Sequence, residues 1–282
     1  MGEYWQDRMA KAQDAVSQKN VKQIETQLRK YYKNTAQKVM DEFVNTYEHM
    51  LAMATEGKEY TPADLYKLDK YWKLQGDMRA ELQKLGERQV ALLTKNFERE
   101  FFDVYYIFSK EGEPAFSSID KNIVNQMINN IWCADGKSWS QRVWDNTSKL
   151  AETLNEELIH IVVSGKSNRD LKRVLMERFN VSYSAADSLV RTEVAHIQTQ
   201  ASIKRYEDYG IQYVEIWADK DERQCDVCGE LHKTKYLVGE AVPIPAHPRC
   251  RCCVVPVVED GKEEEWKEAN SKQDKKTPNL TS

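Results

Sequence analysis

Between residues 225 and 253 the chain reads CDVCGELHKTKYLVGEAVPIPAHPRCRCC, a stretch that holds five of the six cysteines in 282 residues. Cys225 and Cys228 form a CxxC pair, and His247 and Cys250 form an HxxC pair after eighteen intervening residues. Two such knuckles offer three thiolates and an imidazole, the soft and borderline donors that suit tetrahedral zinc. Pro245 and Pro248 stiffen the backbone around His247, and the intervening KTKYLVGE has the length for a turn and short hairpin that folds the second knuckle onto the first. Cys252 is the alternate fourth ligand, because adjacent residues such as Cys252 and Cys253 rarely both face one ion. Four protein ligands close a zinc site, which makes the expected zinc structural; a catalytic zinc keeps a position open for water. Nucleobase deaminases pair a CxxC with an upstream HxE and a proline before the first cysteine. This chain has no HxE, and Gln224 precedes Cys225.

Five thiols crowded into one short stretch suit a metal site in a reducing compartment better than a disulfide framework. The remaining one, Cys133, reads as a small buried apolar residue. A net charge of -4 with 30% charged residues argues against a general nucleic-acid coating protein, and residues 211 to 258 carry seven acids against six bases, so Arg249 and Arg251 do not make a DNA groove. No apolar run is long enough to span a bilayer and the N-terminus MGEYWQDRMAKAQ lacks a secretory signal, so a cytoplasmic product is expected.

The elements that must position the cysteines are mostly helical. Residues 3 to 54 carry apolar side chains at three- and four-residue steps, as in Val39, Phe43, Tyr47 and Leu51, and predict one long helix or a helical pair. Thr61, Pro62 and Asp64 predict the N-terminus of a second long helix running towards Ser109. KEGEPAFSS is a loop, and helices follow over 119–132 and 139–164. Ser167 with Asp170 opens a short helix to about Phe179, and Ser182 to Ser184 start another that stops before Gly210. IQYVEIWA, YLV and VVPVV then read as short strands. After Val258 the chain is charged and apolar-poor, which predicts a flexible tail with one helical turn near Trp266. The aromatic run FFDVYYIF (101–108) reads as helix packing.

On the helix before the strands, Val190, Val194, Ile197 and Ala201 form an apolar stripe flanked by Arg191, Thr192 and Glu193. Arg191 and Glu193 are expected to dock this helix against the cysteine module, with Trp217 as a further docking residue. His196 reads as an ordinary surface or capped histidine, and His232 as a turn residue instead of a ligand.

In order, GKSNRDLKRVL, SAADSLVRTEVAHIQTQASIKRYEDYG, VEIWADKDERQCDVCGELHKTKY and PAHPRCRCCVVPV resemble the phage head morphogenesis family typified by the F protein of phage Mu. The resemblance covers residues 150 to 258. The opening YWQDRM is also similar to the start of such proteins in phages and prophages of Gram-positive bacteria. Cys253 departs from the pattern, where members often carry another residue. The resemblance implies a low-copy minor capsid protein without established enzymatic activity. Such a protein associates with the portal and with major capsid or scaffold proteins during assembly in the host cytoplasm, remains in the head interior of the virion, and in some members accompanies phage DNA out of it. Related domains occur fused to toxins.

The expected organisation is a mainly α protein with a small α+β zinc-binding C-terminal module: an elongated helical N-terminal body (1–149), a Mu F-like module (150–258) and a charged tail (259–282). The expected function is assembly at the portal without a membrane role. The alternative is a zinc-dependent, nuclease-like nucleic-acid-processing protein.

Overall fold

The computed structural model describes residues 2–53, 69–107, 119–164, 166–218 and 224–257. Five helices come first: α1 Gly2–Met53, α2 Asp69–Tyr105, α3 Lys121–Ile128, α4 Trp139–Val163 and α5 Asn168–Asp208. They are followed by β1 Tyr213–Trp217, the short α6 Asp226–Leu231, β2 Lys235–Leu237 and β3 Cys253–Pro256. The protein is mainly α with a small sheet at its C-terminal end. The expected cap at Thr61, Pro62 and Asp64, the loop at 110–118 and the tail after Val258 lie outside the described residues.

The first stretch forms one helix, α1, and not a pair. The helix expected over 119–132 is confined to Lys121–Ile128, capped by the Asp120 carboxylate, which accepts from the Asn122 N–H. A larger correction concerns α5. The break expected between Phe179 and Ser182 does not occur, and the helix runs 41 residues. No glycine or proline interrupts it there, and Ser182 is buried with its polar groups engaged: its carbonyl accepts from Asn146 Nδ2 at 2.9 Å and its hydroxyl lies 3.2 Å from Tyr32 Oη. Tertiary hydrogen bonds here override the local preference of serine for helix starts. Gly210 does end the helix, at φ 67°, with its N–H on the Glu207 carbonyl and the Ile211 N–H on the Tyr206 carbonyl. This is the left-handed glycine stop.

The chain divides into two compact units. One comprises Lys22–Lys95 and Ile131–Val190. Its core is apolar: Ile24, Leu28, Phe43, Tyr71, Leu82, Leu85, Leu154, Leu158, Leu171 and Leu175 are essentially inaccessible, and they recur at helical spacing. Gly86 in α2 faces the Trp144 ring of α4 so closely that a Cβ there would sit 2.4 Å from Cζ3. Cys133, expected to be buried, is only half-buried and lies beside Arg142.

The other unit comprises Met1–Val21, Asn96–Asn130 and Arg191–Ser282. Its described part holds the antiparallel sheet, ordered β2-β1-β3, with Glu215 opposite Val255 and Trp217 opposite Cys253 in one ladder and Val214 opposite Tyr236 in the other. Thus YLV pairs with β1 instead of forming a hairpin of its own. The outer edge of β2 is blunted by Glu240, whose carboxylate accepts the Leu237 N–H at 3.2 Å. The FFDVYYIF stretch packs as expected, with Phe101, Val104 and Tyr105 buried.

In this unit the helical seam is polar. Gln13, Ser17 and Asn20 of α1, Asn96 and Glu100 of α2, and Gln198, Thr199 and Ser202 of α5 are all buried. The Ser17 hydroxyl lies against Glu100 Oε1 and, at 3.0 Å, Gln198 Oε1. Gln198 Nε2 donates to Gln13 Oε1 (3.3 Å), and Gln13 Nε2 donates to Tyr206 Oη and to the Val254 carbonyl, both at 3.1 Å. Asn20 Nδ2 donates to Glu100 Oε2 at 2.7 Å. The single hydroxyl hydrogen of Ser17 serves only one of its two acceptors, so the chain of bonds is complete when Glu100 is protonated and donates to Ser17. Burial acts in the same direction, pushing the Glu100 carboxyl up to about 7.

Two outcomes are expected. Gly86→Ala lowers the melting temperature, because a steric cost of about 1–3 kcal/mol outweighs the roughly 1 kcal/mol gain in helix propensity; a rise would show that Trp144 yields freely. Glu100, with its native pKa raised, contributes stability that is full below its unfolded pKa and is lost as pH rises through about 7. Denaturant titrations of wild type and Glu100→Gln from pH 5 to 8 should therefore diverge by up to roughly 3 kcal/mol, the variant losing less stability as pH rises. Parallel curves would refute the neutral carboxyl.

Candidate metal centre

The first knuckle is built as a helix start. Cys225 occupies the N-cap of α6, and its sulfur accepts the Cys228 N–H at 3.4 Å while its carbonyl accepts the Gly229 N–H at 2.9 Å. The Cys228 N–H foremost, and after it the Cys228 thiol, hold the Cys225 thiol below its ordinary range. The second knuckle is a turn in which the Cys250 N–H donates to the His247 carbonyl at 3.1 Å. His247 Nδ1 lies 2.9 Å from the Pro248 carbonyl, so this nitrogen carries the proton and donates it. Its Nε2 lone pair is thereby turned towards Cys228 Sγ, 3.1 Å away. A backbone carbonyl that orients the far nitrogen of a ligand imidazole is a usual support of metal sites.

Donor atoms converge in two overlapping groups, Cys225–Cys228–His247 and Cys228–Cys250–Cys252, within each of which the ligand atoms lie within 4.8 Å of one another. Cys228 Sγ and Cys250 Sγ are 3.8 Å apart, which equals the edge of a tetrahedron with metal–sulfur bonds of about 2.3 Å. All six cysteines are free thiols. The donor set of thiols and one correctly oriented imidazole fits a metal ion. Burial pushes the Cys228 thiol up to about 12, whereas hydrogen bonding from Cys252 first, then from neighbouring groups, draws Cys250 down to about 5. The cluster thus already favours one thiolate, the form a metal requires.

The other residues singled out in the sequence take up distinct places. Cys253 is buried in β3 and lines a groove with Trp217, Ala218 and Asp14, away from both donor groups. His232 accepts the Ala218 N–H at Nδ1 (3.2 Å) and meets the Trp217 ring edge-on at 5.6 Å. Trp217 in turn donates from Nε1 to Glu215 Oε1 at 2.8 Å. His196, expected near the surface, is buried, and burial lowers its pKa to about 4. Glu193 is buried in α5, and Arg191 is half-buried, its charged form disfavoured by burial and by the nearby Arg249. Thr192, between these two, makes a direct bond to the knuckle: its Oγ1 accepts the Arg249 N–H at 3.0 Å. Arg249 holds a left-handed backbone at φ 62°.

Residues 152–255, less than half of the chain, match the family described as phage Mu protein F like protein. This stretch is a phage Mu F-like segment. It contains every donor of the metal centre, β1, β2 and Thr192, and it ends within β3. Over 199 residues the chain is also 26% identical to NAD(+)--arginine ADP-ribosyltransferase EFV of Enterococcus faecalis (strain ATCC 700802 / V583), a match that takes in 64% of this chain and 40% of that protein. The chain therefore spans less than half the length of this curated relative. No solved structure matches. Among the described residues no helix is long and apolar enough to cross a membrane. Sequence reading missed the buried Gln13–Ser17–Glu100–Gln198 chain beside the Mu F-like segment. Its one legible signal was polar residues, such as Gln13, Ser17 and Asn20, on the stripe that also carries Met9, Ile24 and Leu28.

Chelation provides the test of the site. Cys225→Ser and His247→Ala are each expected to bring bound metal well below the wild-type stoichiometry by elemental analysis. The far-UV circular dichroism should change little, since helices dominate the chain, while proteolysis becomes faster within residues 211–257. Equal metal content in wild type and both variants would remove these residues from the donor set.

Proposed function

We propose that this chain is a minor capsid protein of a phage head that acts in head morphogenesis, with one structural zinc ion held by Cys225, Cys228, His247 and Cys250. The observation that carries the reading is the Mu F-like match over the segment that contains the whole metal centre. The zinc would close the C-terminal sheet and turns into a rigid body, supplying folding energy that a sheet of three short strands lacks. Four ligands leave no position for a water nucleophile, so the role assigned here is assembly and not catalysis. The buried carboxyl of Glu193 is correspondingly a packing residue of α5.

The finer parts of the proposal are association with the portal protein, contact with major capsid or scaffold proteins, residence in the head interior, and passage with or contact with phage DNA. They rest on the same family likeness. The net charge of -4 favours protein partners over extended contact with DNA. The nuclease-like alternative gains no support from the relative, which is named for ADP-ribosyl transfer to arginine. That activity belongs to a protein of which this chain spans 40%, and we do not assign it to this chain.

The full chain co-expressed with the portal protein of the same phage should co-purify with it, and disruption of its gene should leave phage particles that lack normal heads. The purified chain should release no nicotinamide from NAD+ and cleave neither DNA nor RNA. Heads that form in normal number without the chain, or turnover that is lost in Glu193→Gln while the fold persists, would overturn the assembly reading.

A further inference from the structure

The metal centre has more donors than one tetrahedral ion takes. Cys225, Cys228, His247, Cys250 and Cys252 make five, and the two groups they form share Cys228. Four of them satisfy a closed zinc site. The fifth, Cys252, is buried, and its sulfur lies within 4.8 Å of both Cys228 Sγ and Cys250 Sγ. A ligand edge is about 3.8 Å, so the Cys252 sulfur stands within about 1 Å of ligand spacing. Its burial keeps it from partners in solvent, and the short link through Arg251 keeps it next to Cys250. Cys225 and His247 have no such neighbour, since Cys252 groups with Cys228 and Cys250 alone, and Cys253 lines the groove beside Trp217.

We infer that Cys252 is a reserve ligand of the metal centre, which enters the coordination sphere of the ion as Cys250 leaves it. This rests on the zinc reading of the site given above. The exchange is balanced: the Cys252 thiol loses its proton as it binds the ion, Cys250 takes up a proton as it departs, and no electrons move. The tether holds the entering sulfur at a high effective concentration, so it reaches the ion ahead of any thiol from solution. A site of this kind tolerates the loss of Cys250 and not the loss of Cys228, the donor common to both groups. It also has an associative route by which an incoming thiol can loosen the ion, so it releases metal to a competing chelator faster than a four-donor site does.

The test uses the full chain and two readouts, Co(II) titration followed by the thiolate-to-cobalt charge-transfer band, and the rate of zinc transfer to a chromogenic chelator. Cys250→Ala is expected to bind one Co(II) with a charge-transfer intensity equal to wild type and an affinity weakened by about tenfold or less, whereas Cys250→Ala/Cys252→Ala and Cys228→Ala lose stoichiometric binding. Cys252→Ala, which keeps all four principal ligands, is expected to bind one ion and to surrender zinc to the chelator several-fold more slowly than wild type. If Cys250→Ala loses the ion or fails to fold with cobalt present, or if Cys252→Ala transfers zinc as fast as wild type, there is no reserve ligand. If Cys252→Ala itself loses the ion, Cys252 is a permanent ligand and the inference is wrong in that direction. Wild-type chain that binds neither metal would instead sink the zinc reading from which this argument starts.

Discussion

The carbonyl of Val254 is where distant parts of the chain are tied together. It lies in β3, and its oxygen accepts from Gln13 Nε2 at 3.1 Å and from Tyr206 Oη at 3.2 Å, while Gln13 also donates to Tyr206 Oη. The two hydrogens of the Gln13 amide, the one hydrogen of Tyr206 and both lone pairs of the carbonyl are all used. A backbone carbonyl left bare in this buried position would cost about 1–3 kcal/mol, so the first helix and the end of α5 are held where they can supply those hydrogens. Residues 13, 206 and 254 thereby become neighbours, and the β3 side of the sheet meets helical side chains instead of a further strand.

The bonds continue inward. From Gln13 they pass to Gln198, to Ser17 and to Glu100, whose carboxyl is held by burial well above its ordinary range and which also accepts from Asn20. A seam of this composition gains less from burial than the Leu- and Phe-rich seam of the other unit, since each polar group gives up water for one partner. What it supplies is register. A slip of α1 by one turn against α2 and α5 would leave several buried amides and a carboxyl unpaired at once, whereas apolar seams slide at lower cost. The unit that carries the metal centre is thus aligned by a chain of buried hydrogen bonds, whereas the other sets its buried polar groups, such as Ser182 with Tyr32 and Asn146, among more apolar side chains.

Much of this was legible in the residues. Helix periodicity, the glycine stop at Gly210, the three short strands and the pairing of CxxC with HxxC are all local signals, carried by residues close together in the chain. What escaped was non-local. Ser182 looks like a helix start until Tyr32 and Asn146 are seen to occupy its hydroxyl and carbonyl. His196 sits on the stripe-bearing helix, and only the packing around it decides that it is buried. Thr192 was passed over for its charged neighbours because sequence favours long side chains as docking groups, whereas the knuckle offers a backbone N–H that a short hydroxyl meets directly. YLV paired with β1 because β1 lies between the two other strands and had a free side.

The same bond from Arg249 to Thr192 decides how the metal centre is coupled to the helices. Arg249 stands between His247 and Cys250, in a left-handed turn that no side chain beyond glycine or asparagine adopts readily. The turn persists because its neighbours on both sides are held: His247 through its Nδ1 hydrogen on Pro248, Cys250 through its N–H on the His247 carbonyl, and Arg249 itself through Thr192. An ion drawing His247 and Cys250 onto Cys225 and Cys228 would tighten that turn, and with it the grip on α5. Release of the ion would leave the hydrogen bonds of His247, Arg249 and Cys250 to oppose the strain of the turn. The Arg249 N–H therefore links the stability of the knuckle to its attachment to the Mu F-like helix, and a change at either end is felt at the other.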